Sequence, residues 1–355
     1  MGADMKRWIT CGLLACAASV LLACAGGFFY VQTLDLDSQP LPDPASTVAD
    51  LDFMREPMPA TRGKILAVVT STSHFPGGDK KAGFELSELA RAYYVLQANG
   101  YEVDIASPQG GSPPMRLDDE DAVAADYAFL NDAAARRKLD GSLPLREVDA
   151  TRYVAVYLVG GKGTMFDFPD DPDLQRIVRT VYQRGGVIGA VCHGPAGLLE
   201  VMRDDGTPLL RGRRVTGFSN AEELFLIQDA RVRFPYLLQD RMVEKGAQYV
   251  EGTMYLDNTV VDDRLVTGQN PWSTWSTAEA MVRALGQVPV ARAPGRDELA
   301  VQVLAVYHRE GIEAARAARA ALPEADKRLL LMHALVAGMQ GRLGEAWQLQ
   351  ALARG

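Results

Sequence analysis

The sequence predicts an α/β protein built on a mostly parallel sheet with helices on both faces. Three observations predict it. Short apolar, β-branched runs at residues 65–70, 101–106, 153–159 and 187–191 alternate with helix-compatible stretches at 84–99 and 174–183. The runs at 65–70, 153–159 and 187–191 are nearly unbroken in apolar residues, which is how strands buried on both faces read. Glycine punctuates the alternation at Gly100, Gly160-Gly161 and Gly185-Gly186, and strand–helix–strand order in one sheet calls for parallel pairing.

Each segment has its own reading. Residues 8–31 run 24 positions without a charge, after Lys6 and Arg7 and before Asp35 and Asp37. That length spans a bilayer core as a helix, and the basic flank stays on the cytoplasmic side. Residues 1–31 are therefore expected to be a transmembrane anchor or signal segment that places the remainder on the extracytoplasmic, periplasmic side of a bacterial-type inner membrane. Leu21-Leu22-Ala23-Cys24 also resembles a lipobox, so a lipoprotein anchored at Cys24 and a cleaved signal peptide stay open. Residues 32–62 hold five prolines, at 40, 42, 44, 57 and 59, and read as an extended linker. The α/β domain is expected over residues 63–290. On its first helix Leu86, Leu89, Ala90, Tyr93 and Leu96 share one face. Residues 291–355 are rich in Ala, Arg and Leu and break at Gly311, Pro323 and residues 341–344 into about four helices. Ala334, Gly341, Ala346 and Ala353 fall at weakly tetratricopeptide-like spacing, so this helical module is a cap or a surface for a protein partner.

Composition narrows the function classes. Among 355 residues the formal net charge is −8, with a sequence pI of about 5.2, which disfavours binding to nucleic acid. Of four cysteines, three (Cys11, Cys16, Cys24) lie in the N-terminal apolar stretch. Cys192 is the only thiol beyond it, so no disulfide within that part and no cysteine-cluster zinc site is available.

Cys192 is the candidate nucleophile. Residues 187–191 form a buried strand, and the Gly194-Pro195 break opens a helix-compatible stretch. A side chain at such an elbow points above the sheet edge, where active sites of parallel sheets gather. The first free N–H groups of a following helix would lower the thiol pKa. The loop after residue 70 and Gly160-Gly161-Lys162-Gly163 end at the same edge.

Six separated motifs occur in order: Gly83-Phe84-Glu85-Leu86-Ser87-Glu88-Leu89, Ala106-Ser107-Pro108-Gln109-Gly110-Gly111, residues 160–169 beginning Gly160-Gly161-Lys162-Gly163, Cys192-His193-Gly194-Pro195, Thr216-Gly217-Phe218-Ser219-Asn220-Ala221-Glu222-Glu223, and Thr267-Gly268-Gln269-Asn270-Pro271. On these motifs residues 63–288 resemble the ThiJ/PfpI superfamily, with its flavodoxin-like, class I glutamine amidotransferase-like fold, and within it the heat-shock glyoxalase III-like branch. The resemblance implies a cofactor-independent cysteine enzyme with no metal, which acts on 2-oxoaldehydes such as methylglyoxal or removes them from glycated amines. It implies Cys192 as the nucleophile that forms a hemithioacetal and Glu88 as the carboxyl that shuttles a proton beside it. His193 would be the acid or base oriented by Glu223, with Glu222 the less fitting carboxylate by spacing. The backbone N–H groups of Gly161 and His193 would hold the oxyanion.

Two positions depart from the family pattern. Lys162 stands where many relatives have histidine, which brings a fixed positive charge to the substrate pocket. Gln239 replaces a common glutamate in the segment beginning Pro235-Tyr236 and is expected to line the pocket. A holdase chaperone or cysteine redox sensor is the alternative, and a peptidase or amidotransferase-like hydrolase a remote third. The amidotransferase chemistry needs a distal His-x-Glu pair, and none of His74, His193, His308 and His333 supplies one. A homodimer is compatible with the sequence.

Overall fold

The computed structural model describes residues 36, 39–117 and 122–354, which form two compact units. Residues 42–295 make up the α/β unit, and residues 296–354, joined by 36 and 39–41, the helical one.

The α/β unit is organised by a seven-stranded sheet. Its strands in chain order are β1 (Lys64–Val68), β2 (Glu102–Ser107), β3 (Leu143–Pro144), β4 (Tyr153–Leu158), β5 (Val187–Val191), β6 (Thr259–Asp262) and β7 (Leu265–Gly268). They lie in the order β6-β7-β5-β4-β1-β2-β3. Only the edge pair β6–β7 is antiparallel within this sheet; all other neighbours run parallel. Every residue of β5 and β7 is buried, as the unbroken apolar runs require of strands covered on both faces.

The register sets the carboxyl edge. Val68 pairs with Leu158, Leu158 with Ala190, and Val191 with Gly268. The chain after each of these strands therefore emerges at one level, which brings the loops at residues 69–72, 159–163, 192–194 and 269–270 together.

Helix α1 (Leu86–Ala98) is buried almost all round and ends at Asn99 and Gly100, the latter at φ +81°. The glycine takes the left-handed conformation that stops the helix. Glu88 sits in its first turn. Behind it, Tyr157 on β4 donates its hydroxyl to the Glu88 carbonyl at 2.8 Å. Helix α2 (Asn220–Leu226) is started by a capping box in which Ser219 and Glu222 bond each other's backbone. Helix α3 (Thr274–Ala284) packs on α1 and on β5.

The proline-rich stretch was expected as an extended spacer and is not one from residue 42 on. Residues 48–50 and 52–54 form short 3-10 turns, and Leu51 and Met54 are buried. Asn131 donates to the carbonyls of Pro44 and Ser46, and the ring of Phe53 meets Trp275 edge-on at 6.0 Å. Prolines fix φ but keep their carbonyls as acceptors; with apolar side chains between them, such a strap can pack.

The helical unit contains α4 (Arg296–Glu310), α5 (Ile312–Ala321), α6 (Lys327–Met339) and α7 (Leu343–Arg354). Consecutive helices pack as pairs, α4 with α5 and α6 with α7, around Ala300, Val303, Leu304, Leu330, Ala337, Leu349 and Leu352. Asp326 caps α6 by accepting from the N–H groups of Arg328 and Leu329.

The membrane-spanning expectation is corrected. Among the described residues no helix is long and apolar enough to cross a membrane. Residues 1–31, on which the expectation rested, lie outside the described residues. The periplasmic placement, which depended on that helix, falls with it.

Candidate active site

Cys192 occupies the turn directly after β5 at φ +57°, one of three non-glycine residues in the left-handed region among those described. Such a backbone costs about 1–3 kcal/mol and persists where its surroundings over-determine it. Here they do: the Cys192 N–H donates to the Gly268 carbonyl at 2.9 Å and its carbonyl accepts from Phe218 at 2.8 Å. The chain continues into a five-residue 3-10 turn, Gly194–Leu198, and not into the α-helix expected there.

That difference changes the thiol. A short 3-10 turn has little dipole to offer, and Cys192 is 3% exposed. Burial, followed by the charge and hydrogen bonding of Glu88, pushes the thiol well above its ordinary pKa. The expected lowering by a helix N-terminus is corrected: the group that governs this sulfur is the neighbouring carboxyl.

Glu88 is fully buried beside it. Neither carboxyl oxygen has full hydrogen-bond geometry with a protein group. Burial, and then the charge of Glu85, raises its pKa to about 8, against the pull of the nearby Cys192 thiol, the Gly160 N–H and Lys162. Desolvation disfavours the carboxylate and the acid form is retained. The two groups meet across Gly160. A Cβ built there would lie 2.4 Å from Glu88 Oε2, 2.6 Å from the Val191 carbonyl and 2.8 Å from Cys192 Cβ, so only glycine lets carboxyl and thiol come this close.

His193 completes a chain of contacts. Its Nδ1 lies 3.2 Å from Cys192 Sγ and its Nε2 2.6 Å from Glu223 Oε2. Adjacent side chains on regular secondary structure diverge; the left-handed turn at Cys192 lets these two converge. The imidazole stacks on Phe218 at 4.6 Å and on Phe234 at 6.2 Å between centroids. Because a carboxylate only accepts, Nε2 carries the hydrogen and Nδ1 is left to face the sulfur.

Glu222 and Glu223 are both buried on α2 but differ in use. Glu222 accepts from the Ser219 N–H and hydroxyl, the Tyr255 N–H and the Asn270 amide; it holds the local fold. Glu223 turns to the histidine. Gly161 lies in the loop after β4 at φ +107°, and neither its N–H nor that of His193 is taken by a protein acceptor among the described residues. Lys162 is half-buried next to it, and its charge acts on both Glu88 and Cys192.

Gln239 does not line the site. Its Oε1 accepts from the Asn220 N–H at 2.7 Å and its Nε2 donates to Glu251, so it steadies the start of α2. Sequence reasoning passed over three contributors. The Thr164 hydroxyl lies within hydrogen-bond distance of the carbonyls of Gly161, at 2.8 Å, and His193, at 3.1 Å, tying two loops together. Phe234 covers the imidazole, and Tyr157 anchors α1. Thr164 falls inside the motif beginning Gly160-Gly161; nothing local marks Phe234 or Tyr157.

A thiol at a strained strand end, a buried carboxyl and a histidine–carboxylate pair on this sheet define an α/β protein of the cysteine-elbow class. The DJ-1/PfpI family profile matches residues 80–284, and the chain belongs to that family. Glyoxalase 3 of Candida albicans is 35% identical over 234 residues, covering 62% of this chain and 98% of the relative. The glutathione-independent glyoxalase HSP31 of Saccharomyces cerevisiae is 32% identical over 240 residues, with 64% and 99% coverage. Among solved structures, the rapid encystment protein of 24 kDa from Francisella tularensis has a TM-score of 0.59 at 34% identity, covering 63% of this chain and 99% of its own. Glyoxalase III from Candida albicans has a TM-score of 0.57 at 33% identity, covering 63% and 97%. These matches place the chain beside the glyoxalase III-like branch.

Proposed function

We propose that the protein is a glutathione-independent glyoxalase that converts a 2-oxoaldehyde, methylglyoxal being the simplest example, to a 2-hydroxy acid. The observation that carries the reading is the buried Glu88 carboxyl beside Cys192, protonated at neutral pH and without a full protein partner. A structural carboxyl in that position would be satisfied by donors, as Glu222 is.

The chemistry follows from the positions. The Cys192–Glu88 pair gives up one proton, and the sulfur attacks the aldehyde carbon while Glu88 holds the remaining one. The S–C bond forms, and the developing oxyanion faces the N–H groups of Gly161 and His193 until it takes the Glu88 proton, giving the hemithioacetal. Glu88, now a carboxylate, removes the hydrogen on that carbon as a proton and returns it to the neighbouring carbon. His193, held by Glu223, moves the hydroxyl proton from the first oxygen to the second. The adduct is then a thioester of the 2-hydroxy acid, and water breaks the S–C bond. Oxidation of the aldehyde carbon is balanced by reduction of the ketone carbon, so no external electron carrier takes part.

The test is turnover of methylglyoxal by the full chain, followed as chiral lactate. One lactate enantiomer in excess, lost in Cys192→Ala, is expected; no turnover, or turnover indifferent to that substitution, overturns the reading. Release of methylglyoxal from a pre-formed lysine adduct at a rate no faster than its spontaneous breakdown separates a glyoxalase from a deglycase.

A further inference from the structure

The site carries more positive charge than the proposed chemistry uses. Lys162 sits between Gly161 and Gly163, directly after β4. It is half-buried, and its ammonium makes no hydrogen bond or ion pair among the described residues. A partly desolvated ammonium with no counter-charge is unfavourable unless something from outside completes it. Glu85, at the start of α1, acts on the same thiol and on Glu88, yet it forms no ion pair with Lys162.

A second cation lies within electrostatic reach of the first. The Lys80 ammonium lies 5.1 Å from the centroid of Phe75. Phe75 contacts Phe166 at 5.3 Å and Phe234 at 5.1 Å, and Phe166 stacks on Phe234 at 5.7 Å. Phe234 in turn stacks on His193. Phe234 thus joins the imidazole to a cluster of three aromatic rings, and Lys80 lies over the Phe75 ring of that cluster. The charges of Lys162 and Arg233 are both felt at Lys80. Asp229 and Glu223 act on Lys80 with the opposite sign, but Asp229 is engaged by Arg233 at 2.7 Å and Glu223 by His193 at 2.6 Å, so neither Lys80 nor Lys162 has an ion-pair partner among the described residues.

We propose that Lys162 and Lys80 are specificity determinants that select 2-oxoaldehydes bearing an anionic group, a carboxylate or phosphate, over neutral ones. This rests on the glyoxalase reading of the Cys192 site. The aldehyde carbon would lie at Cys192, the apolar stem against Phe75 and Phe234, and the anionic end between the two ammonium groups. A substrate of that form supplies the missing counter-charge, whereas methylglyoxal leaves both cations unpaired.

The test compares kcat/KM for 4,5-dioxopentanoate, a 2-oxoaldehyde ending in a carboxylate, with that for methylglyoxal. The full-length protein should prefer the former, and Lys162→Met and Lys80→Met should each lower the preference by about fivefold or more, as expected of one cation acting through partly screened solvent. Lys162→Arg should restore it, and salt should shrink it. A preference absent from the wild type, or unmoved by either methionine variant, overturns the proposal. A readout independent of turnover keeps it separate from the parent reading: the rate of Cys192 alkylation by iodoacetate relative to iodoacetamide, normalised to a free thiol in the same buffer. A ratio above that of the free thiol that falls in Lys162→Met supports the cationic site even if neither aldehyde is processed. A ratio at or below it, unchanged by the substitution, overturns it even if both are.

Discussion

His193 and Glu223 meet at 2.6 Å through Nε2 and Oε2, with the imidazole pressed against Phe218 and the carboxylate 3% exposed. The carboxylate fixes which ring nitrogen carries hydrogen and which faces the sulfur 3.2 Å away. Glu223→Gln keeps size and packing but removes the charge that supports an imidazolium. The expected outcome is a loss of about 10²-fold or more in kcat for a 2-oxoaldehyde, with thermal stability close to wild type. A kcat within a few fold of wild type would show that the ring needs no oriented partner.

Glu88 sets the pH dependence. With its pKa near 8, the pair it forms with Cys192 is mostly uncharged at pH 7, and the reactive singly ionised form appears as pH rises through about 8. Alkylation of Cys192 by iodoacetamide should rise through the same pH, and in Glu88→Gln the rise should move above pH 9, since burial keeps the thiol protonated. An alkylation rate flat from pH 6 to 9 in the wild type would count against the pairing.

The same group should leave a mark on stability. Between its ordinary pKa of 4.5 and about 8 the folded state holds a proton that the unfolded chain has released. Folding stability therefore falls as pH rises across that window. Glu88→Gln removes the penalty. Its melting temperature relative to wild type should climb by several degrees between pH 5 and pH 8, as measured by thermal unfolding; parallel curves would refute the assignment.

The sheet and the neighbourhood of Cys192 were legible for different reasons. Strands such as Val187–Val191 are read from their pattern alone, because a short apolar run with β-branched ends, set between glycine breaks, fits few other structures. The meeting of Glu88, Cys192-His193 and Glu223 joins three places in the sequence, and the motif resemblance suggested it where periodicity could not. What escaped depends on three-dimensional surroundings. The thiol pKa was read from an assumed helix dipole, but the turn after Cys192 is 3-10, and burial, followed by the neighbouring Glu88, pushes the thiol up. Lys80 was passed over because its place at the site depends on the loop that folds Phe75 onto Phe234. The membrane helix was read from hydropathy and length, and the helices of the described residues offer no such span.

Glycine contacts separate a functional requirement from ordinary helix propensity. At Gly160 an added methyl would lie within 2.8 Å of Glu88 Oε2, the Val191 carbonyl and Cys192 Cβ, so Gly160→Ala should force carboxyl and thiol apart and abolish turnover. Gly344, in α7, has nothing within 4 Å of its position. There Gly344→Ala should add about 0.5–1 kcal/mol of stability through helix propensity and leave activity unchanged. Denaturant unfolding with a parallel activity assay checks both.

Away from the site, Arg91 on α1 and Asp126 form a buried ion pair at 3.0 Å, with side chains 3% and 0% exposed. Asp126 also accepts from the Val123 N–H at 2.9 Å, which starts the helix Ala124–Asn131. Their loss should be unequal. Arg91→Met leaves a carboxylate without its cation in an apolar surrounding, a change that costs about 3–5 kcal/mol. Asp126→Asn retains a cap and a neutral acceptor, but removes the negative charge facing the guanidinium on the helix whose first turn carries Glu88. The double variant Arg91→Met/Asp126→Asn removes both charges together, and a buried pair recovers little net stability once its desolvation is counted. Its stability should therefore exceed that of Arg91→Met alone, a coupling that a double-mutant cycle in chemical denaturant reads directly. If the two losses simply add, the pair acts as independent polar groups, and the anchoring of α1 beneath the active site rests on its apolar contacts and on Tyr157.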